Sequence, residues 1–101
     1  MYRFWRHSRV QGDQGPQAVQ FAKEVADYLT AKYPEHPVQA YGGYFGDLGS
    51  VYWFSDYKDL AAFESFVAQL NADKDYLALL DKGHGLFSEG HDTLVGPFSL
   101  A

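Results

Sequence analysis

From Tyr2 to Val10, aromatic and β-branched residues are interleaved with charged ones, and the turn-forming run Gly12-Asp13-Gln14-Gly15-Pro16 follows, which predicts a strand and then a helix start. Ala18, Phe21, Ala22, Val25 and Leu29 then recur at helical spacing with Gln20, Lys23, Glu24 and Asp27 between them, and Pro34 and Pro37 bar continuation past about Tyr33. Val38 to Phe45 and Ser50 to Tyr57 read as strands joined through Gly46-Asp47-Leu48-Gly49. Asp59 is placed to cap a helix whose stripe is Leu60, Phe63, Val67 and Leu70, with Phe66 on its flank. Asn71-Ala72-Asp73 marks a break or recapping point. A further helical piece carries Tyr76, Leu77, Leu79 and Leu80 and stops at Gly83-His84-Gly85. A short last strand is expected from Thr93 to Phe98, where Pro97 suits a sheet edge.

Strand, helix, strand, twice over, is the ferredoxin-like βαββαβ order. The fold class is therefore α+β, a four-stranded antiparallel sheet with its helices on one face, in a single domain of 1–101. The strands have rings of both parities. Val51 and Trp53 point one way and Tyr52 and Phe54 the other, and on the preceding strand Tyr41 and Phe45 oppose Val38, Ala40 and Tyr44. One helix layer covers one face only, so the other calls for a partner, most simply a second copy of the chain.

Charge narrows the ligands. A net charge of -5 argues against a nucleic-acid module. Yet the three arginines, Arg3, Arg6 and Arg9, all lie on the first strand, while the rest of the chain holds five lysines against thirteen acids. An anionic compound is thus expected to meet Arg6 or Arg9, unless they sit in internal ion pairs such as Arg6 with Asp56. Absence of cysteine excludes disulfides and thiolate chemistry and suits a cytoplasmic setting. No segment reads as a membrane span, and no membrane partner is expected.

Eighteen per cent aromatic residues exceed what a two-layer core needs. Tyr41, Tyr52, Trp53, Phe54 and Tyr76 are candidates for a stacking pocket around a flat ligand, against the plainer reading of core and interface. His84, flanked by glycines at a helix end, is the first candidate proton carrier and His7 the second. The alternatives are a histidine favoured by the helix C-terminus and a satisfied interface histidine. The histidines at 7, 36, 84 and 91 have no metal-ligand spacing, Glu89-Gly90-His91-Asp92 reads as a polar turn, and no metal or cofactor is expected. The glycines of Tyr41-Gly42-Gly43-Tyr44-Phe45-Gly46 lie in a strand, so this is no phosphate loop; they suit a bulge or close ligand approach.

The run Val51-Tyr52-Trp53-Phe54-Ser55-Asp56-Tyr57-Lys58-Asp59-Leu60-Ala61, with Gln69-Leu70 and Asp73-Lys74-Asp75-Tyr76, resembles the dimeric α+β barrel superfamily, and within it the small NIPSNAP-like proteins. The resemblance covers nearly the whole chain. It implies two sheets facing one another in a homodimer and a ligand between sheet and helices. Distant relatives are antibiotic-biosynthesis-type monooxygenases, polyketide cyclases and haem-degrading enzymes. The expected function is therefore a homodimeric small-molecule-binding protein, with cofactor-independent oxygenation or cyclase-like proton transfer on a flat, acidic aromatic or polyketide-like compound. A non-catalytic scaffold is the alternative, and haem binding through His84 or His7 a weaker one.

Overall fold

The computed structural model describes residues 1–43 and 48–98. Tyr44, Phe45, Gly46 and Asp47, expected in the second strand and its turn, lie outside them. The order is β1 (Tyr2–Val10), α1 (Gly15–Lys32), β2 (Gln39–Gly42), β3 (Ser50–Tyr57), α2 (Leu60–Asn71), α3 (Lys74–Asp81) and β4 (Phe87–Val95). The strands pair antiparallel in the order β2-β3-β1-β4, the ferredoxin-like arrangement.

α1 follows its apolar stripe: Ala18, Phe21, Ala22, Val25 and Leu29 are buried, joined by Ala26. Pro16 lies in the first turn, where its missing N–H costs no helical hydrogen bond. Thr30 ties the helix to the next strand, its hydroxyl accepting from Val38 N at 3.0 Å and donating to Val38 O at 3.1 Å. Trp53 is buried against the same helix and donates its indole N–H to the Ala22 carbonyl at 3.1 Å, so its one polar atom is satisfied.

Residues directly paired across an antiparallel ladder share a face. The register therefore puts Tyr2, Phe4, Arg6 and Ser8 of β1, Val51, Trp53, Ser55 and Tyr57 of β3, and Gly90, Asp92 and Leu94 of β4 under the helices. Arg3, Trp5, His7 and Arg9, with Tyr41, Tyr52, Phe54 and Asp56, occupy the other face, over which no helix lies. That second face is aromatic, as expected, but it also carries the ion pairs Arg3–Asp56 at 2.8 Å and Arg9–Glu89 at 3.6 Å.

Two elements depart from the sequence expectation. β4 begins at Phe87 and not Thr93, so Glu89-Gly90-His91-Asp92 is mid-strand rather than a turn, and Pro97 lies beyond the strand end. The polar residues belong there because β4 is an edge strand whose acids meet the arginines of β1. On α2 the buried residue is Phe66, 3% exposed, whereas Leu60 and Val67, assigned to the stripe, are 47% and 37% exposed. The helix rolls toward Tyr33, Tyr57 and His36, whose rings lie 5.2, 5.8 and 5.1 Å from that of Phe66. The roll has a measurable consequence. Urea unfolding of Phe66→Ala should show a loss of about 3–5 kcal/mol, as for other buried phenylalanines, and Val67→Ala a change within about 1 kcal/mol; equal losses would contradict the observed orientation.

Candidate ligand cavity and the opposite sheet face

The placement of α3 begins with Asp73. Its side chain caps the helix by accepting from Tyr76 N at 3.0 Å, and it also accepts from the hydroxyls of Tyr33 at 2.7 Å and Tyr28 at 2.8 Å. Lys32 Nζ lies 3.0 Å away. The carboxylate is nearly inaccessible, with 3% of its side chain exposed. Burial alone would raise its pKa, but the hydrogen bonds, that from Tyr33 foremost, hold it far below the usual carboxylate range. This cluster joins the last turns of α1 to the first turn of α3, and so sets where Tyr76 enters the space above the sheet.

That space is a cavity of about 650 Å³ between sheet and helices. Phe4, Trp53 and Tyr57 form part of its floor, Phe21 and Val25 one wall, and Phe63, Leu70 and Leu80 another. Val67 and Leu77 line it while 37% and 43% exposed, which makes them its mouth. Gly83 also lines it. A Cβ there would sit 2.5 Å from the Phe21 ring, so only glycine lets that ring close the end of the wall.

Among the described lining residues only Arg6 and Asp92 carry charge, and they are paired fork to fork: Nε donates to Oδ1 at 2.7 Å and Nη2 to Oδ2 at 2.9 Å. The hydrogen bond from Arg6 holds the Asp92 carboxyl below its ordinary value. Tyr76 is buried beside this pair. Desolvation pushes its phenol up, opposed by the neighbouring guanidinium, so it stays protonated at neutral pH. Ser55 and Tyr57 share a buried hydroxyl–hydroxyl hydrogen bond of 2.8 Å on the floor.

The sequence-predicted residues thus separate. Arg6, Trp53 and Tyr76 come together in the cavity. His7, Arg9, Tyr41, Tyr52 and Phe54 lie together on the opposite face, where the His7 ring stacks on Tyr52 at 4.6 Å, Phe54 meets Tyr41 at 5.4 Å, and His7 Nε2 is 2.8 Å from Ser50 Oγ. His84 joins neither group: it is exposed beyond α3 and does not line the cavity. The pairing of Arg6 with Asp56 is corrected, because these residues lie on opposite faces; Asp56 accepts both its hydrogen bonds from Arg3, at 2.8 and 2.9 Å. Sequence reasoning took Asp92 for part of a polar turn, where the signal of its role would have been an acid within a strand opposite an arginine; it read Asp73 as part of a break or recapping point, which the cap on α3 agrees with, but not as the partner of two phenols. No group of residues suited to a metal ion occurs among the described residues, nor any helix long and apolar enough to cross a membrane.

This α+β fold recurs among solved structures. The chain is similar, over 100% of its length and 98% of the other's, to a NIPSNAP domain protein of Burkholderia xenovorans, with a TM-score of 0.82 and 16% identity. A NIPSNAP family protein of Agrobacterium tumefaciens is similar over 99% of this chain and 95% of the other, at TM-score 0.80 and 15% identity. A candidate antibiotic biosynthesis monooxygenase of Deinococcus radiodurans is similar over 100% and 96%, at TM-score 0.72 and 11% identity. No protein-family profile and no curated protein matches the sequence.

The Asp73 cluster predicts a pH dependence. Its folded pKa lies below the ordinary value of 3.8, so the group contributes its full stability above that value and loses it as pH falls toward the lower, folded one. Denaturant unfolding from about pH 7 to pH 2 should find Asp73→Asn less stable than the parent at neutral pH, with the gap narrowing in acid. A gap independent of pH would show that the charge is not what matters.

Proposed function

We propose that this chain is a homodimeric small-molecule-binding protein that holds its ligand in the cavity between sheet and helices and pairs with a second copy through the opposite sheet face. The observation that carries the reading is the cavity itself. Its volume lies in the range of small-molecule sites, its lining is mainly apolar, and its charged groups are confined to one pair beside a buried phenol. Likeness in fold to NIPSNAP proteins and to a candidate monooxygenase supports the cavity as the place to look. On this reading Arg6, Trp53 and Tyr76 serve the ligand, and His7, Arg9, Tyr41, Tyr52 and Phe54 serve the dimer. Any proton transfer on the bound compound falls to Tyr57, Tyr76 or Asp92, the groups of the lining able to exchange a proton, and not to His84 or His7.

The dimer rests on Trp5, Tyr41, Tyr52 and Phe54. They form a ring cluster at the centre of an uncovered sheet face, with the Arg3–Asp56 and Arg9–Glu89 pairs at its margins. An apolar centre with a charged rim is the anatomy of a protein interface. Light scattering at micromolar concentration should give twice the chain mass of 11.4 kDa, and Phe54→Glu should reduce it to the single-chain value with a lower melting temperature. A parent protein that runs as a monomer would end the dimer reading.

For the cavity, titration with Nile red, an uncharged apolar dye, should saturate at one site per chain. Leu70→Trp, which fills the cavity from one wall, should abolish that binding, whereas Tyr41→Ala on the other face should leave it. Loss in Tyr41→Ala with retention in Leu70→Trp would move the site to the bare sheet.

A further inference from the structure

The cavity's polar anchor has a net charge of zero, and this restricts what it will hold. Arg6 uses Nε and Nη2 to bind both oxygens of Asp92, which completes its charge compensation within the chain. The arginine nonetheless has five N–H donors and two are spent. Tyr76 lines the same cavity, and the charge of Arg6 acts on its phenol. The phenol, protonated at neutral pH, has a hydrogen of its own to donate. Asp92 likewise has lone pairs left over, so what the anchor offers an incoming molecule is a set of hydrogen-bonding groups without an uncompensated charge. Around it, Val67, Leu70, Leu77 and Leu80 provide the apolar path from the mouth.

We propose that the cavity selects an uncharged compound with an apolar body and a single hydrogen-bond-accepting head, a ketone, ester or amide carbonyl, seated on Arg6 and Tyr76. This rests on the binding reading above and replaces the acidic ligand that the arginine cluster suggests in sequence. A carbonyl accepts from the available donors and brings no charge. A carboxylate brings a second negative charge beside Asp92, against an arginine already neutralised, and an ammonium faces the guanidinium itself; neither gains an unpaired counter-charge for the water it gives up.

The test uses the full chain as Trp5→Phe, which leaves Trp53, in the cavity floor, as its one tryptophan. Quenching of its fluorescence is followed on titration with 2-decanone, decanoate and decylammonium at neutral pH. These share a chain and differ in the head. 2-Decanone should bind at least about tenfold more tightly than either ion, a difference that equilibrium titration resolves readily. Because any apolar cavity disfavours an ion, the discriminating variant is Asp92→Asn, checked for an unchanged circular dichroism spectrum. It frees the charge of Arg6, and decanoate should gain about tenfold relative to the ketone. If decanoate already binds best in the parent, or if Asp92→Asn leaves its affinity relative to the ketone unchanged, the neutral anchor is refuted while the cavity remains a binding site. If none of the three binds, both the proposal and the binding reading fall. Should Asp92→Asn not fold, Arg6→Gln in its place should raise decylammonium about tenfold, since Asp92 is then the unpaired charge; no gain would overturn the proposal.

Discussion

A carboxylate withdrawn from water governs the helix layer. Asp73 is surrounded by two phenols, a lysine ammonium and a backbone N–H, three of these four donors coming from the last turns of α1. A charge buried to this extent is tolerated only when its lone pairs are met. Meeting them fixes α3 against α1, which holds Tyr76 over the sheet. The packing of Phe66 against Tyr33, Tyr57 and His36 does the same for α2 by apolar means. The space left beneath the helix layer between these two attachments is the cavity.

The sheet below serves two environments with one alternation. Along β1 the even positions Phe4, Arg6 and Ser8 look into the cavity and the odd positions Arg3, Trp5, His7 and Arg9 look away from it. A one-residue slip would exchange the two sets, so register is what separates the cavity lining from the uncovered face. The arginines illustrate the division. They are close in sequence, yet Arg6 finds Asp92 on one side while Arg3 and Arg9 find Asp56 and Glu89 on the other.

Much of this was legible before the structure. The order of elements, the face of α1, the ends of β3 and the surplus of strand aromatics follow from local periodicity and turn residues, which act over a few positions. What escaped depends on contacts far apart in sequence. β4 reads as polar turn and short edge because Glu89 and Asp92 are explained only by Arg9 and Arg6, some eighty residues earlier. α2 has apolar residues on several sides, so Phe63 and Leu70 fit a stripe through Val67 as well as one through Phe66, and only the position of Tyr33 and Tyr57 decides between them. A cluster of arginines suggested an anion site because a sequence shows charges without their partners. The separation of the predicted aromatics into two groups, with Trp53 beneath the helices and Tyr52 and Phe54 away from them, was foreshadowed by strand parity. Which group met a cavity was not.

The account depends on the two faces having distinct occupants, and methyl resonances of leucine and valine report on both. Val67, Leu70 and Leu80 line the cavity, and Val95 lies on the uncovered face opposite Arg3. With those methyls labelled, addition of 2-decanone should shift Val67, Leu70 and Leu80 and leave Val95 in place, whereas dilution toward the monomer should shift Val95 alone. Displacement of Val95 by the ketone, with the cavity methyls unmoved, would contradict the division of the sheet on which the account rests.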